Sequence, residues 1–260
     1  SARDAFHALD DADPLSLARC GSHDRGLVVD AYDALLRDTP TRGALEPQVV
    51  LRVGAPPTSK ALMTYLAEHP GARQVQVAGE LGWNDPDFVG SEAIDGDPRL
   101  VVDALALAVR GRRLAPDGGD WADRWRDLDR RARTALGEWL SGIDEPFEGS
   151  AIAALAAALP DGATFYAGNS MPIRDLDAFV GGSPRNVRFA ANRGASGIDG
   201  VLSSALGASV ASDGPLALAI GDVSFLHDLG GLAAAKRHGL RATVLLLNND
   251  ATVEPGALGT

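Results

Sequence analysis

Leu216-Ala217-Leu218-Ala219-Ile220-Gly221-Asp222-Val223-Ser224-Phe225-Leu226-His227-Asp228 is the stretch that decides the fold. Five apolar residues stop at a Gly-Asp pair, and a helical pattern follows from Phe225 to His238. A short apolar run that ends at a breaker and leads into a helix reads as a strand buried on both faces, the kind found in parallel sheets. The same unit recurs on both sides. Upstream, the sequence predicts a helix from Ser150 to Leu159, a strand from Thr164 to Ala167, a loop, a strand from Arg188 to Ala191, a glycine-rich loop and a helix from Val201 to Ala211. Downstream, Thr243 to Leu247 reads as a further strand ending in Asn248-Asn249-Asp250. No hairpin signal interrupts this alternation. Right-handed crossovers then give a parallel sheet whose strand C-terminal ends, and the loops that leave them, lie along one edge.

The first half alternates in the same way. Gln48 to Val53 reads as a strand, Gly54-Ala55-Pro56-Pro57-Thr58 as a turn, and Ser59 to Glu68 as a helix. Arg73 to Ala78 is a second strand and Leu100 to Arg110 a helix. A break at Pro116 to Asp120 precedes an amphipathic helix in which Trp121, Trp125 and Trp139 recur at helical spacing, as packing residues do. Residues 1 to about 45 are Asp-rich and carry one helical pattern, Leu27 to Leu36. With a boundary near Ser141 to Gly149, the expected organisation is an approach segment (1–45), a central α/β domain (46–145) and a second α/β domain (146–260).

Composition narrows the function. Apolar residues make up 45% and charged residues 23%, so the chain has the means to bury a core. The 24 Lys plus Arg against 35 Asp plus Glu leave a formal charge of −11, which supplies no basic stripe for nucleic acid. Among the cations only Lys60 and Lys236 are lysines. Arginine's planar fork suits bidentate binding of carboxylates. Cys20 is the only cysteine, which excludes an intrachain disulfide and fits a reducing cytoplasm. The five histidines never fall at metal-ligand spacing, and no apolar run approaches the roughly 20 residues of a membrane span.

Chemistry concentrates in the loops that leave the second group of strands: Gly168-Asn169-Ser170-Met171-Pro172-Ile173-Arg174-Asp175, Asn192-Arg193-Gly194-Ala195-Ser196-Gly197-Ile198-Asp199-Gly200, and Gly221 to Asp228. Asp222 leaves one strand, and Asn249, 27 positions on, leaves the strand reached by the next crossover. One carboxylate with an amide oxygen, beside the start of a helix, suits an oxygen-liganded cation that holds a diphosphate.

Gly-Asp-x followed by Asn-Asn at the end of the next strand resembles the cofactor motif of thiamine-diphosphate (ThDP) enzymes. Within that superfamily the three loops, together with Arg52 to Lys60, resemble the 2-succinyl-5-enolpyruvyl-6-hydroxy-3-cyclohexene-1-carboxylate (SEPHCHC) synthases of menaquinone biosynthesis. The resemblance runs from about residue 45 to residue 250. It implies the layered parallel-sheet fold of ThDP enzymes, and a cytoplasmic homodimer or dimer of dimers. It assigns Asp222 and Asn249 to Mg2+ or Mn2+, and Val223 and Ser224 to the cofactor. Ile198 becomes the bulky residue that props ThDP in its bent shape. Asn169, Ser170, Arg174 and Arg193 are assigned to substrate, Ser170 and the two arginines with catalytic roles, and Lys60 is the central domain's basic contribution. The implied reaction is decarboxylation of 2-oxoglutarate and 1,4-addition of the resulting carbanion to isochorismate.

Two departures accompany the resemblance. Ala251-Thr252-Val253-Glu254-Pro255 replaces the family's Gly-rich continuation after Asp250, and Ala61 stands where some members carry a second basic residue. The N-terminal pyrimidine-binding domain is expected to be absent, because residues 1–45 are too few to form it. Other readings stay open here: a ThDP-dependent decarboxylase or ligase of acetolactate-synthase type, or a non-catalytic fragment that needs a pyrimidine-domain partner. Dinucleotide binding lacks its Gly-x-Gly-x-x-Gly fingerprint.

Overall fold

The computed structural model describes residues 28–54, 57–78, 85, 89–109, 118–182, 185–194 and 196–249. Residues 1–27 with Cys20, His7 and His23, the Ala55-Pro56 pair, Arg110, Pro116, Ala195 and residues 250–260 lie outside the described set. Among the described residues the chain forms two parallel sheets. The first has the order β1-β2-β3, from β1 (Val49–Val53), β2 (Arg73–Val77) and β3 (Glu92–Ile94). The second has the order β5-β4-β6-β7, from β4 (Thr164–Ala167), β5 (Arg188–Ala191), β6 (Leu216–Gly221) and β7 (Thr243–Leu247).

Around the first sheet the helices are α1 (Tyr32–Arg37), α2 (Thr39–Ala44), α3 (Lys60–Glu68), α4 (Pro98–Val109) and α5 (Gly118–Ser141). Ser59 caps α3 by accepting from the Leu62 N–H at 3.1 Å, while its hydroxyl donates to Asp33 Oδ1 at 2.5 Å. That pair fastens α1 to α3 above a core in which Leu36, Leu45, Ala61, Tyr65 and Leu66 are buried. The α5 tryptophans pack as expected: Trp125 meets Tyr65 edge-on, and Trp139 contacts Phe147 and Phe179.

The central strands β4 and β6 of the second sheet are covered on both faces. Phe165 and Phe189 point into a core built with Ile152 of α6 (Glu148–Ala158) and with Ile173 and Leu176 of α7 (Met171–Phe179). On the opposite face Tyr166, Leu218 and Ile220 pack against Val201, Leu202 and Leu206 of α8 (Val201–Val210). Every residue of β4 is buried, the signature of a strand covered on both sides. The strand order reverses direction between β4 and β6, since β5 lies on one side of β4 and β6 on the other. The crevice outside the C-terminal ends of those two strands is therefore the topological switch point.

Several elements depart from the sequence expectations. The stretch after β4 is not all loop, because Met171–Phe179 is helical. Pro172 sits in the first turn, where its missing N–H costs no hydrogen bond, and Ile173 and Leu176 fall three apart on the buried side. The helix expected over Phe225 to His238 is two, α9 (Asp222–His227) and α10 (Gly230–His238). The break lies at Asp228, whose carboxylate accepts from the Ser203 N–H at 2.6 Å and the Ser203 hydroxyl at 2.8 Å. Of the pattern expected over Leu27 to Leu36, residues 28–31 are not helical and α1 starts at Tyr32, where Asp129 accepts from the Asp30 and Ala31 amides; Leu27 lies outside the described residues. α5 begins at Gly118, inside the expected break, and α2 and β3 are additional.

Candidate active site

The parallel sheet places the loops after β4, β5, β6 and β7 on one edge. Gly221 is paired in register with Leu247, so Asp222 and Asn249 stand one and two residues beyond a hydrogen-bonded rung of neighbouring strands. A carboxylate and an amide from adjacent strand ends form an oxygen donor pair suited to a hard divalent cation. Among the described residues no group of three or more His, Cys, Asp or Glu is placed to hold a metal ion. α9 starts on Asp222, and Gly221 gives it no side-chain cap. The donor chemistry fits a cation carrying a diphosphate. Gly168 and β6 approach closely: a Cβ on Gly168 would lie 3.0 Å from the Ala219 carbonyl oxygen and 3.2 Å from Ile220 Cα. A side chain there would force the Ala219–Ile220 backbone back by a few tenths of an ångström at the floor of the switch-point crevice.

Ser170 leads from that floor into α7 with φ +69° and ψ −122°, the only non-glycine residue with positive φ among those described. Such strain persists where surrounding structure over-determines it, commonly at functional sites. Ser170 and Arg174, on the exposed side of α7's first turn, both face solvent. Asp175 turns the other way and is buried; its Oδ2 has no hydrogen-bond partner. Burial, with Glu148 adding repulsion and Arg174 opposing, pushes its carboxyl up to about 6.

Arg193 is exposed after β5 and reaches Asn169, its Nη1 donating to Oδ1 at 3.4 Å. Asn169 is 9% exposed and donates from Nδ2 to the Gly197 carbonyl at 2.7 Å. Ile198 is 42% exposed, and its carbonyl accepts from the Ser224 hydroxyl at 2.9 Å. Val223 and Asn249 are exposed at the same edge. The edge thus gathers Asn169, Ser170, Arg193, Ile198, Asp222, Ser224 and Asn249 from four strand ends. Lys60 is not brought into this network: it opens α3 at the C-terminal end of the other sheet and is exposed.

Support for Arg193 comes from residues that the motif reading did not single out. Tyr166 of β4 donates its hydroxyl to Asn192 Oδ1, and Asn192 Nδ2 donates to Ser204 Oγ at 3.4 Å. Burial pushes the Tyr166 phenol up, so it stays a neutral donor. A tyrosine in a strand buried along its whole length is the signal, since its hydroxyl must find a partner.

The matches with known proteins follow the geometry. Residues 181–254 match the family of thiamine pyrophosphate enzymes, C-terminal TPP binding domain. With its parallel sheets covered by helices, the fold is the layered α/β type of the ThDP enzymes.

The particular relatives are SEPHCHC synthases. The chain is 47% identical over 239 residues to that of Geobacillus thermodenitrificans, covering 92% of this chain and 40% of the relative. It is 44% identical over 239 residues to that of Bacillus velezensis, with the same coverage, and 43% identical over 257 residues to that of Halorubrum lacusprofundi, covering 92% and 41%. The chain spans about 40% of the length of these curated relatives. The likeness read from the loop motifs therefore extends well beyond them.

Proposed function

We propose that this chain carries the diphosphate half-site and the central domain of a SEPHCHC synthase, which decarboxylates 2-oxoglutarate and adds the resulting carbanion to isochorismate. The observation that carries the reading is the placement of Asp222 and Asn249 on paired neighbouring strand ends beside the switch-point crevice. Asp222 and the Asn249 amide oxygen would hold Mg2+ or Mn2+, with Val223 and Ser224 next to the diphosphate and Ile198 as the prop beneath the cofactor. When bound, ThDP supplies the electron sink that stabilises the carbanion.

The chain's own residues bind and orient. Both substrates are polyanions, and a protein of charge −11 must offer them local cations. Arg174 and Arg193 present exposed forks that match carboxylates bidentately, and Ser170 offers a hydroxyl from its strained position. In this reading residues 46–145 and 146–260 are the two domains, and the central domain's Lys60, exposed and outside the edge network of this chain, is a further cation for the substrates. A homodimer or dimer of dimers in the cytoplasm is the proposed working state. Among the described residues no helix is long and apolar enough to cross a membrane.

The test assays the full-length protein with ThDP, Mg2+ and isochorismate, offering 2-oxoglutarate or pyruvate as donor. Product from 2-oxoglutarate alone is expected. Equal use of pyruvate would shift the reading to an acetolactate-synthase type of enzyme.

A further inference from the structure

The Gly197–Ile198 segment is held from two sides, by a side chain from the loop after β4 and by one from helix α9. Asn169, after β4, donates to the Gly197 carbonyl at 2.7 Å, and Ser224, in α9, donates to the next carbonyl, that of Ile198, at 2.9 Å. Both donors are buried, Asn169 at 9% and Ser224 at 8% exposure, while residues 196–199 are exposed and lack regular secondary structure. Among the described residues, these two bonds are what reach those carbonyls from outside the loop.

Hydrogen-bond inventory then restricts what the two side chains can do. A serine hydroxyl has one proton to donate, and Ser224 commits it to Ile198. A diphosphate offers only acceptors at its oxygens, so this hydroxyl cannot bind it while the Ile198 bond stands. Asn169 accepts from Arg193 with Oδ1 and gives one of its two N–H groups to Gly197. A substrate carboxylate, again an acceptor, finds at most one N–H left on a side chain that is almost covered.

We infer that Asn169 and Ser224 are positioning residues, a two-point clamp on consecutive carbonyls that sets the height of Ile198 and ties it to helix α9, which opens on Asp222, and that neither side chain is a ligand of cofactor or substrate. The functional consequence rests on the proposed ThDP reading; the clamp itself does not. Asn169 adds a second link, because the same amide that fixes Gly197 also receives Arg193. The clamp thereby couples the position of the prop to the orientation of a substrate-binding cation.

The test uses full-length protein with Ser224→Ala, Ser224→Thr, Asn169→Asp and the Ser224→Ala/Asn169→Asp pair. Asn169→Asp keeps the acceptor for Arg193 and removes the donor to Gly197. In cofactor-free protein, amide hydrogen exchange over residues 194–200 is expected to rise about fivefold in each donor-deleting variant and further in the pair, with Ser224→Thr restoring protection. With ThDP and both substrates, kcat is expected to fall roughly tenfold while the KM for 2-oxoglutarate and the Kd for ThDP move less than about threefold. Unchanged loop exchange, or a tenfold weaker Kd for ThDP in Ser224→Ala with kcat preserved at saturation, would overturn the clamp. Failure of the wild-type protein to bind ThDP would instead sink the cofactor reading, and the exchange arm would still decide the clamp.

Discussion

Arg193 is where charge, support and exposure converge on one side chain. Its guanidinium faces solvent, its Nη1 leans on Asn169, and the residue before it is fixed by Tyr166 and Ser204. Arg193→Lys keeps the charge and loses the fork, so kcat/KM is expected to fall about 10–100-fold with ThDP affinity unchanged, as steady-state kinetics beside a ThDP titration would show. Asp175 makes a different prediction. Its carboxyl is pushed up to about 6 from an ordinary 3.8, so between those values the folded protein binds more protons than the unfolded chain. The stability tied to this group is full below about pH 4 and is lost as pH rises through 6. Asp175→Asn, which cannot ionise, should therefore gain roughly 1–2 kcal/mol over the wild type at pH 7.5 and nothing at pH 4, read from urea unfolding at the two pH values. At this scale the loop motifs pointed to Asp222, Asn249, Ile198 and Arg193 as candidates, and the order and register of the strands put these four along one edge of the second sheet. What a motif could not tell is whether Asn169 and Ser224 bind a ligand or another loop, because that depends on which carbonyls face them once the sheet is formed.

Among the elements, β4 and β6 set the crevice, and Gly168 sets their separation. A methyl group there would press on the Ala219 carbonyl and the Ile220 backbone, neither of which can swing away. Gly168→Ala is expected to cost about 1–3 kcal/mol of stability and to weaken ThDP binding, as thermal unfolding and calorimetry of the same variant would show. The strands Thr164–Ala167, Arg188–Ala191 and Thr243–Leu247 were readable residue for residue, because each is a short, mostly apolar run bounded by Gly, Pro or polar breakers, although only the first is buried along its whole length. Helix α7 was hidden by its own chemistry. Pro172, Arg174, Asp175 and Asp177 look like a loop until burial of the two aspartates is known, and Tyr32 supplies one reason for it by donating to Asp177 Oδ2 at 2.6 Å. The break between α9 and α10 was equally invisible, since it depends on Asp228 reaching Ser203 in another helix.

On the scale of the whole molecule, the net charge of −11 and the exposed forks of Arg174 and Arg193 fit the proposed reading, in which a negative protein offers local cations to small polyanions. The central claim is narrower, that the edge of the second sheet holds Mg2+ and a diphosphate through Asp222 and Asn249. Calorimetric titration of ThDP into the full-length protein, with Mg2+, with EDTA, and in the Asp222→Ala variant, tests it most directly. The proposed site requires binding by the wild type only with the metal, and none by the variant. Binding of equal strength in all three arms would contradict it.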